Sequence, residues 1–390
     1  MKSKIDIYIL IPVSGKYNGK QQKSNLLIQS YLDKLNETTK YECNERISKS
    51  INRYYLCNID MAYYVDDDYD ELKAIKFSAE LVLTYQKDTK LGILQLLIPS
   101  CSLDASQVGD MVSKGYIKIY ENNALISIKK YIQENFNLRF SGKCRTVYSM
   151  SLDNKIKENL EYLLVGEVED SIHNGLKLKN SEINERARND ISVYDFYELY
   201  VSKSSFVYYT KKFSDVFEDN ITEIVLLIFI CEIAMLQNAA IIRINNQIMD
   251  ELVENSNIKA KQTLNLQVEF GKTIILWENN IYNYENVQIL SNRIVEAIGT
   301  KELFEEYKRN KEHIEQIASL KSGIASEIEG KVLNVLAFIL SVADLVQIWN
   351  VIKGNINGEI VQYTVIAGTS FTVIFILLLI YRNRKKRTIV

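Results

Sequence analysis

The sequence predicts a cytosolic α/β domain, a long helical stalk and a C-terminal pair of transmembrane helices. Strand signals rich in β-branched and aromatic residues fill the first half of the 390-residue chain, which also holds both prolines. From Asn220 to Asn350 the chain has no proline and follows helical spacings. Two apolar runs separated by a seven-residue polar link, Lys353 to Glu359, come last.

Composition excludes several classes of protein. A net charge of −2 gives no global sign of a nucleic-acid binder, so we expect no direct binding to nucleic acid. The five cysteines are scattered and odd in number, which indicates reduced thiols in a cytosolic compartment. The two histidines stand alone and predict no zinc site. We interpret the N-terminal stretch "IDIYILIPV" as a buried strand rather than a secretory signal.

The first 213 residues are predicted to form an α/β domain with a mixed sheet. The third and fourth strands flank "QKDTK", a hairpin turn. A polar stretch at 166–190 is expected to be a long loop, and residues 192–213 to form a last hairpin. We expect strands at 5–13, 53–60, 74–85 and 91–99, and helices at 104–114, 123–135 and 153–164.

One loop of this domain is a candidate phosphate site. It follows the first strand and precedes a predicted helix, a common location for phosphate. The loop is neither a Walker A loop nor a dinucleotide fingerprint, and a solvated turn is the alternative. The acidic run at 65–71 lacks EF-hand spacing, and we interpret it as a solvated loop. No catalytic constellation is present, so we do not expect an enzyme. The candidate ligand residues are Ser14, Gly15, Lys16, Gly19 and Lys20.

Residues 214–330 are predicted to form a helical stalk. A capping-box-like pair, Asn220 and Glu223, begins it. Within it, 224–242 is apolar apart from Glu232, and we interpret it as a buried stalk helix; a third membrane span is the alternative. Residues 301–353, as one helix, would measure about 80 Å, longer than a compact soluble domain needs.

The two C-terminal apolar runs are each long enough to span a bilayer. Residues 360–381 contain no charge, and 332–352 contain only Asp344; about 20 helical residues suffice to span. The alternative for each run is a buried helix of a soluble core. The short link permits only an antiparallel hairpin. We therefore expect transmembrane helices at 331–353 and 360–381, an outer loop at 354–359 and a basic tail at 382–390.

The basic tail sets the expected orientation. By the positive-inside tendency it lies at the cytoplasmic membrane surface, so both termini are expected to be cytoplasmic in a bacterial inner membrane. Its basic residues are Arg382, Arg384, Lys385, Lys386 and Arg387.

Polar residues in the first run form a stripe along one side of the helix. A charged residue facing lipid costs about 2.5 to 3.5 kcal/mol, so such residues usually face a bundle or water. A polar stripe either lines a pore or joins neighbouring helices, and a two-span chain must self-associate to bury it. The stripe, our candidate pore lining, consists of Asn334, Ser341, Asp344 and Gln347.

The order of elements resembles that of the CorA family of magnesium channels. The resemblance implies a homo-oligomer, a pentamer in that family, with magnesium as a candidate ion. Family transporters carry Gly-Met-Asn at the outer end of the first span, whereas this chain has Gly354 and Asn355 without the methionine. That difference puts ordinary magnesium uptake in doubt. The outer-mouth residues that the resemblance implies are Gly354, Asn355, Asn357 and Glu359.

A branch of CorA-like proteins accompanies type III CRISPR systems, and this chain resembles that branch in its plan. The resemblance implies an antiviral membrane effector gated by a nucleotide, an S-adenosylmethionine–AMP conjugate or a cyclic oligoadenylate. A divergent magnesium or other divalent cation transporter is the first alternative. A membrane-tethered scaffold without conductance is the second.

Overall fold

The computed structural model describes most of the N-terminal sheet region and the long helices that follow. The described residues are 5–17, 22–63, 75–98, 117–121, 124–151, 160, 163–164, 189–210, 222–254, 268, 271, 281–353 and 363. The chain divides into two compact units, Met1–Gln247 with Gln267–Lys308, and Ile248–Leu266 with Arg309–Val390. The helix expected at 104–114, the loop expected at 166–190 apart from its last two residues, and the second span apart from Tyr363 lie outside the described residues.

The first unit contains a mixed β-sheet, as predicted. In the described chain its order is β6-β5-β2-β3-β4-β1-β8-β10-β9, with β7 paired to the end of β1. Neighbours pair antiparallel except β8 and β10, which are parallel. The strands are β1 Ile5–Ser14, β2 Ile51–Tyr63, β3 Ile75–Gln86, β4 Leu91–Ile98, β5 Ile117–Glu121, β6 Ala124–Ser127, β7 Arg139–Phe140, β8 Arg145–Ser151, β9 Tyr197–Val201 and β10 Ser205–Thr210.

The expected strands and both hairpins are confirmed. Strands β3 and β4 are joined at the predicted turn, where Lys90 adopts a positive φ of 56°. Strands β9 and β10 pair antiparallel across the turn at Ser202–Ser204. The helix expected at 123–135 is correct only in its second part, because Ala124–Ser127 pairs with β5 as a strand before the helix begins.

Six helices are described. Asn25, Asn44 and Ser127 each accept a hydrogen bond from a backbone N–H three residues later, which caps the first three helices. The three described residues of the helix expected at 153–164, which are residues 160, 163 and 164, are helical. The helices are α1 Leu26–Glu42, α2 Glu45–Ser50, α3 Ile128–Phe136, α4 Thr222–Glu254, α5 Glu285–Ala297 and α6 Thr300–Lys353.

Both faces of the sheet are covered. On one face, Tyr8 and Leu10 of β1 pack in a core with α1, α4 and α5. On the other face, Ile7 and Ile9 join a second core with α3 and Leu160. A strand buried on both faces has no polar side to alternate with, which explains the continuous apolar run of β1.

Helix α4 is buried, in agreement with our preference over a third span. The segment Ile224–Ile248 is long and apolar enough to cross a membrane, with a mean hydropathy of 2.2. Yet 94% of its most apolar 18-residue window is buried inside the protein. The helix packs on the sheet, within the first unit up to Gln247. The sheet unit therefore extends past the boundary expected at residue 213, because α4 supplies much of its core.

Helix α6 is a single helix of 54 residues, as expected for residues 301–353. Thr300 and Tyr307 are buried, and the first unit includes α6 up to Lys308. Further along, every described side chain from Glu327 to Ser341 is exposed or half-exposed. Leu333 is 65% exposed and Phe338 is 70% exposed. The other large apolar side chains exposed on α6 between residues 327 and 346 are Ile328, Val335, Ile339, Leu340 and Val346.

Candidate functional site

The candidate phosphate loop lies where β1 ends, and Gly15 has a structural role there. Its φ is +141°, and a Cβ at this position would lie 2.7 Å from the carbonyl oxygen of Asn137. The Gly15 N–H donates to the Lys90 carbonyl oxygen at 3.1 Å, and its own carbonyl accepts from the Tyr85 hydroxyl at 2.8 Å. The Gly15 N–H is therefore already engaged, whereas Lys16 is exposed. Gly19 and Lys20 lie outside the described residues.

A second Ser-Gly-Lys tripeptide, at residues 141–143, lies at the same edge of the sheet. Ser14 at the end of β1 pairs with Arg139, and the Ser141 N–H donates to the Pro12 carbonyl oxygen at 2.9 Å. The sequence reasoning missed this loop. Its repetition of the tripeptide at 14–16 is the signal that could have found it.

This edge, which we call the basic edge, is positively charged. Strands β1 and β3 end at this edge, and their neighbours β4, β8 and β10 begin there. The segments that meet at the edge are 14–17, 86–91, 137–145 and 202–205. In these segments Asp88 is the single carboxylate. A local excess of one sign favours ligands of the opposite sign even when the net charge of the chain is small. The cations are Lys16, Lys87, Lys90, Arg139, Lys143, Arg145 and Lys203.

Arg145 is the buried cation of the basic edge. It is only 3% exposed, and its Nε and Nη1 atoms have no hydrogen-bond partner. Its Nη2 donates to the Ile298 carbonyl oxygen at 3.5 Å, the long limit of a hydrogen bond. Burial lowers the pKa of Arg145 to about 10. Burial also lowers the pKa of Lys143, and the charges of Arg145 and Lys203 lower it further.

The junction between α5 and α6 contacts the basic edge through Arg145. Ile298 ends α5, Gly299 follows with a φ of +77°, and α6 begins at Thr300. A Cβ on Gly299 would lie 3.7 Å from the Glu302 Oε2 atom and 3.9 Å from the Lys203 Cε atom. The Asn238 amide of α4 donates to the Thr300 hydroxyl at 2.9 Å. The start of α6 is thus held between α4 and the basic edge.

A second polar group lies inside the core, between the sheet and α4. Glu232, fully buried, accepts from Nη2 of Arg53 at 2.6 Å and from the side chains of Thr84 and Gln95. Arg53 also donates through Nη1 to the Thr39 hydroxyl at 2.7 Å. Because donors surround the carboxylate and the ion pair is sealed from solvent, we interpret this group as structural.

The predicted pore stripe is uncovered where the structure describes it. Asn334, Ser341 and Asp344 are exposed, and the Ser341 hydroxyl donates to the Ala337 carbonyl oxygen at 2.8 Å. The other predicted residues lie outside what is described, either wholly or in their side chains. They are Gln347, Gly354, Asn355, Asn357, Glu359, Arg382, Arg384, Lys385, Lys386 and Arg387.

Neither a search for metal sites nor comparisons with known proteins assign a function to these residues. In the part of the chain that the structure describes, no group of three or more His, Cys, Asp or Glu residues could hold a metal ion. A scan against protein-family models, a search of curated proteins and a search of solved structures each found no match.

Proposed function

We propose that this chain is the subunit of an oligomeric membrane channel of CorA-like plan, gated by a nucleotide signal that binds the sheet unit. The observation that carries the proposal is α6. This helix begins among buried residues of the sheet unit and further along carries apolar side chains that no described part of the chain covers. The CRISPR-associated antiviral role follows from the resemblance in plan and is part of the proposal.

The exposed apolar surface of α6 is too large for a helix that stays uncovered in water. Seven large apolar side chains between Ile328 and Val346 are exposed by 41% to 70%. Full burial of such a side chain contributes about 1.5 to 3 kcal/mol, so half-burial contributes roughly 1 kcal/mol each. The sum is comparable to the net stability of a whole domain, about 5 to 15 kcal/mol. We infer that another phase or another chain covers this helix.

A bilayer together with other copies of the chain fits the pattern better than either alone. The run 332–352 has the length of a span, and 360–381 offers a second span without a charge. Asp344 requires water or a polar partner at that depth, which symmetric copies would supply around an axis. Helix α4 differs from α6 in this respect, because its apolar surface is already buried against the sheet.

The proposal predicts that position 355 is outside and the sheet unit inside. The test is labelling of Asn355→Cys with a membrane-impermeant thiol reagent in intact cells, in a chain whose native cysteines are replaced. The control is Lys129→Cys, an exposed position on α3. We expect Asn355→Cys to react in intact cells and Lys129→Cys only after permeabilisation.

Two results would contradict the proposal. One is recovery of the full chain in the soluble fraction without detergent. The other is labelling of both positions only after permeabilisation, which would place the link between the two apolar runs in the cytoplasm.

A further inference from the structure

We propose that Lys143, Arg145 and Lys203 bind a phosphate group at the junction between α5 and α6. This inference deepens the proposed function, on which it rests for the identity of the signal, because it assigns the place where a gating anion binds. Binding itself does not depend on a membrane or a pore.

The first argument is the incomplete pairing of Arg145. In the part of the chain that the structure describes, this guanidinium forms no ion pair, and two of its three nitrogens have no hydrogen-bond partner. Arg53 is comparably buried, yet it has a carboxylate, a hydroxyl and a backbone carbonyl as acceptors. A buried charge without a counter-charge is costly, so the fold retains at Arg145 a cation that a bound anion would stabilise.

The second argument is the composition of the rim above Arg145. Lys143 and Lys203 are exposed there and come from two different loops. The hydroxyl of Ser141 is buried and has no hydrogen-bond partner, so a donor remains available next to the cluster. Partial burial and, after it, the charges of Arg145 and Lys203 lower the pKa of Lys143, and a bound phosphate would offset the repulsion between the cations.

The third argument is the start of α6. The first N–H groups of a helix lack intrahelical partners and carry a partial positive charge, which favours phosphate. Arg145 reaches the carbonyl of Ile298, two residues before the helix begins. The Lys203 Cε atom lies 3.9 Å from where a Cβ on Gly299 would be, a point that is also 3.7 Å from the carboxylate of Glu302 in the first turn of α6. An anion between these groups would therefore contact both the sheet and the first turn of the longest helix.

Phosphate fits this arrangement better than a carboxylate does. Three cations suit the negative charge of a phosphate monoester or diester, and an arginine fork together with lysine point charges is a common way to hold phosphate oxygens. A phosphate carried by a nucleotide and free inorganic phosphate share this chemistry, so both must be measured.

The test is calorimetric titration of the full-length protein in detergent with inorganic phosphate, adenosine 5′-monophosphate and adenosine. We expect the two phosphates to bind and adenosine to give no signal. Lys143→Ala and Lys203→Ala should each weaken binding about tenfold. Lys129→Ala, which removes an exposed lysine on the opposite face of the sheet, should leave the affinity unchanged.

Arg145→Met separates a ligand role from a structural one. We expect this variant to lose phosphate binding while its Tm stays at or above that of the wild type, because the substitution removes an unpaired buried charge. If it does not fold, the two exposed lysine variants still decide. The proposal is overturned if wild type binds neither phosphate, or if both lysine variants bind as tightly as wild type. Phosphate binding without ion flux would contradict the proposed channel but support the phosphate site. Ion flux without phosphate binding would support the channel but contradict the site.

Discussion

At the scale of single residues, the ion pair between Arg53 and Glu232 holds α4 on the sheet. The Glu232 carboxylate on α4 accepts hydrogen bonds from one side chain on each of β2, β3 and β4. Four elements therefore meet at this buried group. Removing one partner of such a pair costs about 3 to 5 kcal/mol, whereas replacing both by apolar residues is often neutral. The pair thus fixes the position of α4 more than it adds to stability.

We predict that Glu232→Leu lowers the Tm of the full chain in detergent by about 10 °C. The cause is the loss of the acceptor for the buried Arg53 guanidinium. Thermal unfolding followed by circular dichroism measures the change. The double variant Arg53→Met/Glu232→Leu should recover most of the loss. Glu45→Ala, which breaks an exposed pair with Lys49, is the control and should leave the Tm unchanged. Equal losses in the single and double variants would contradict this account.

At the scale of elements, α6 changes character along its length. Its first turns are anchored by Asn238, which donates to Thr300, and by Asn245, which donates to the Leu303 carbonyl oxygen at 3.3 Å. Its later turns carry uncovered apolar side chains and the polar stripe. A continuous helix is stiff, so displacement of its start would be transmitted along its axis.

We predict that Asp344→Asn reduces cation flux several-fold and leaves the oligomer intact. Each subunit would lose one negative charge from the same constriction, and the effect is multiplied by symmetry. The measurements are oligomer size in detergent and flux in liposomes. Glu312→Gln, an exposed carboxylate earlier on α6, is the control for charge loss. A variant that falls apart into monomers would show instead that Asp344 joins neighbouring helices.

The sequence predicted elements well where the local pattern decides the structure. Composition and periodicity predict strand β1, the β3–β4 hairpin and α6 correctly. Residues 124–127 were assigned to a helix, because pairing with β5 is a tertiary contact that local propensity does not report. The basic edge was also out of reach, since it depends on which strands begin and end together. Arg145 in particular looks like an ordinary strand residue until its missing partners are known.

At the scale of the whole molecule, the two units have different chemical surroundings. The sheet unit has two apolar cores and a basic edge, and the described part of the second unit exposes apolar side chains. Helix α6 has residues in both units, and we propose that a signal bound to the first unit acts on the second through this helix. This division of roles is the central claim: the sheet unit senses an anion, and the helical unit forms the pore.

Cation flux from liposomes that contain the purified full-length chain tests this claim most directly. We predict no flux, of magnesium or monovalent cations, without ligand. Flux should follow addition of the S-adenosylmethionine–AMP conjugate or a cyclic oligoadenylate, and Arg145→Met should not respond. Flux of equal size with and without every nucleotide would contradict the claim and favour a constitutive transporter, and no flux under any condition would favour a scaffold.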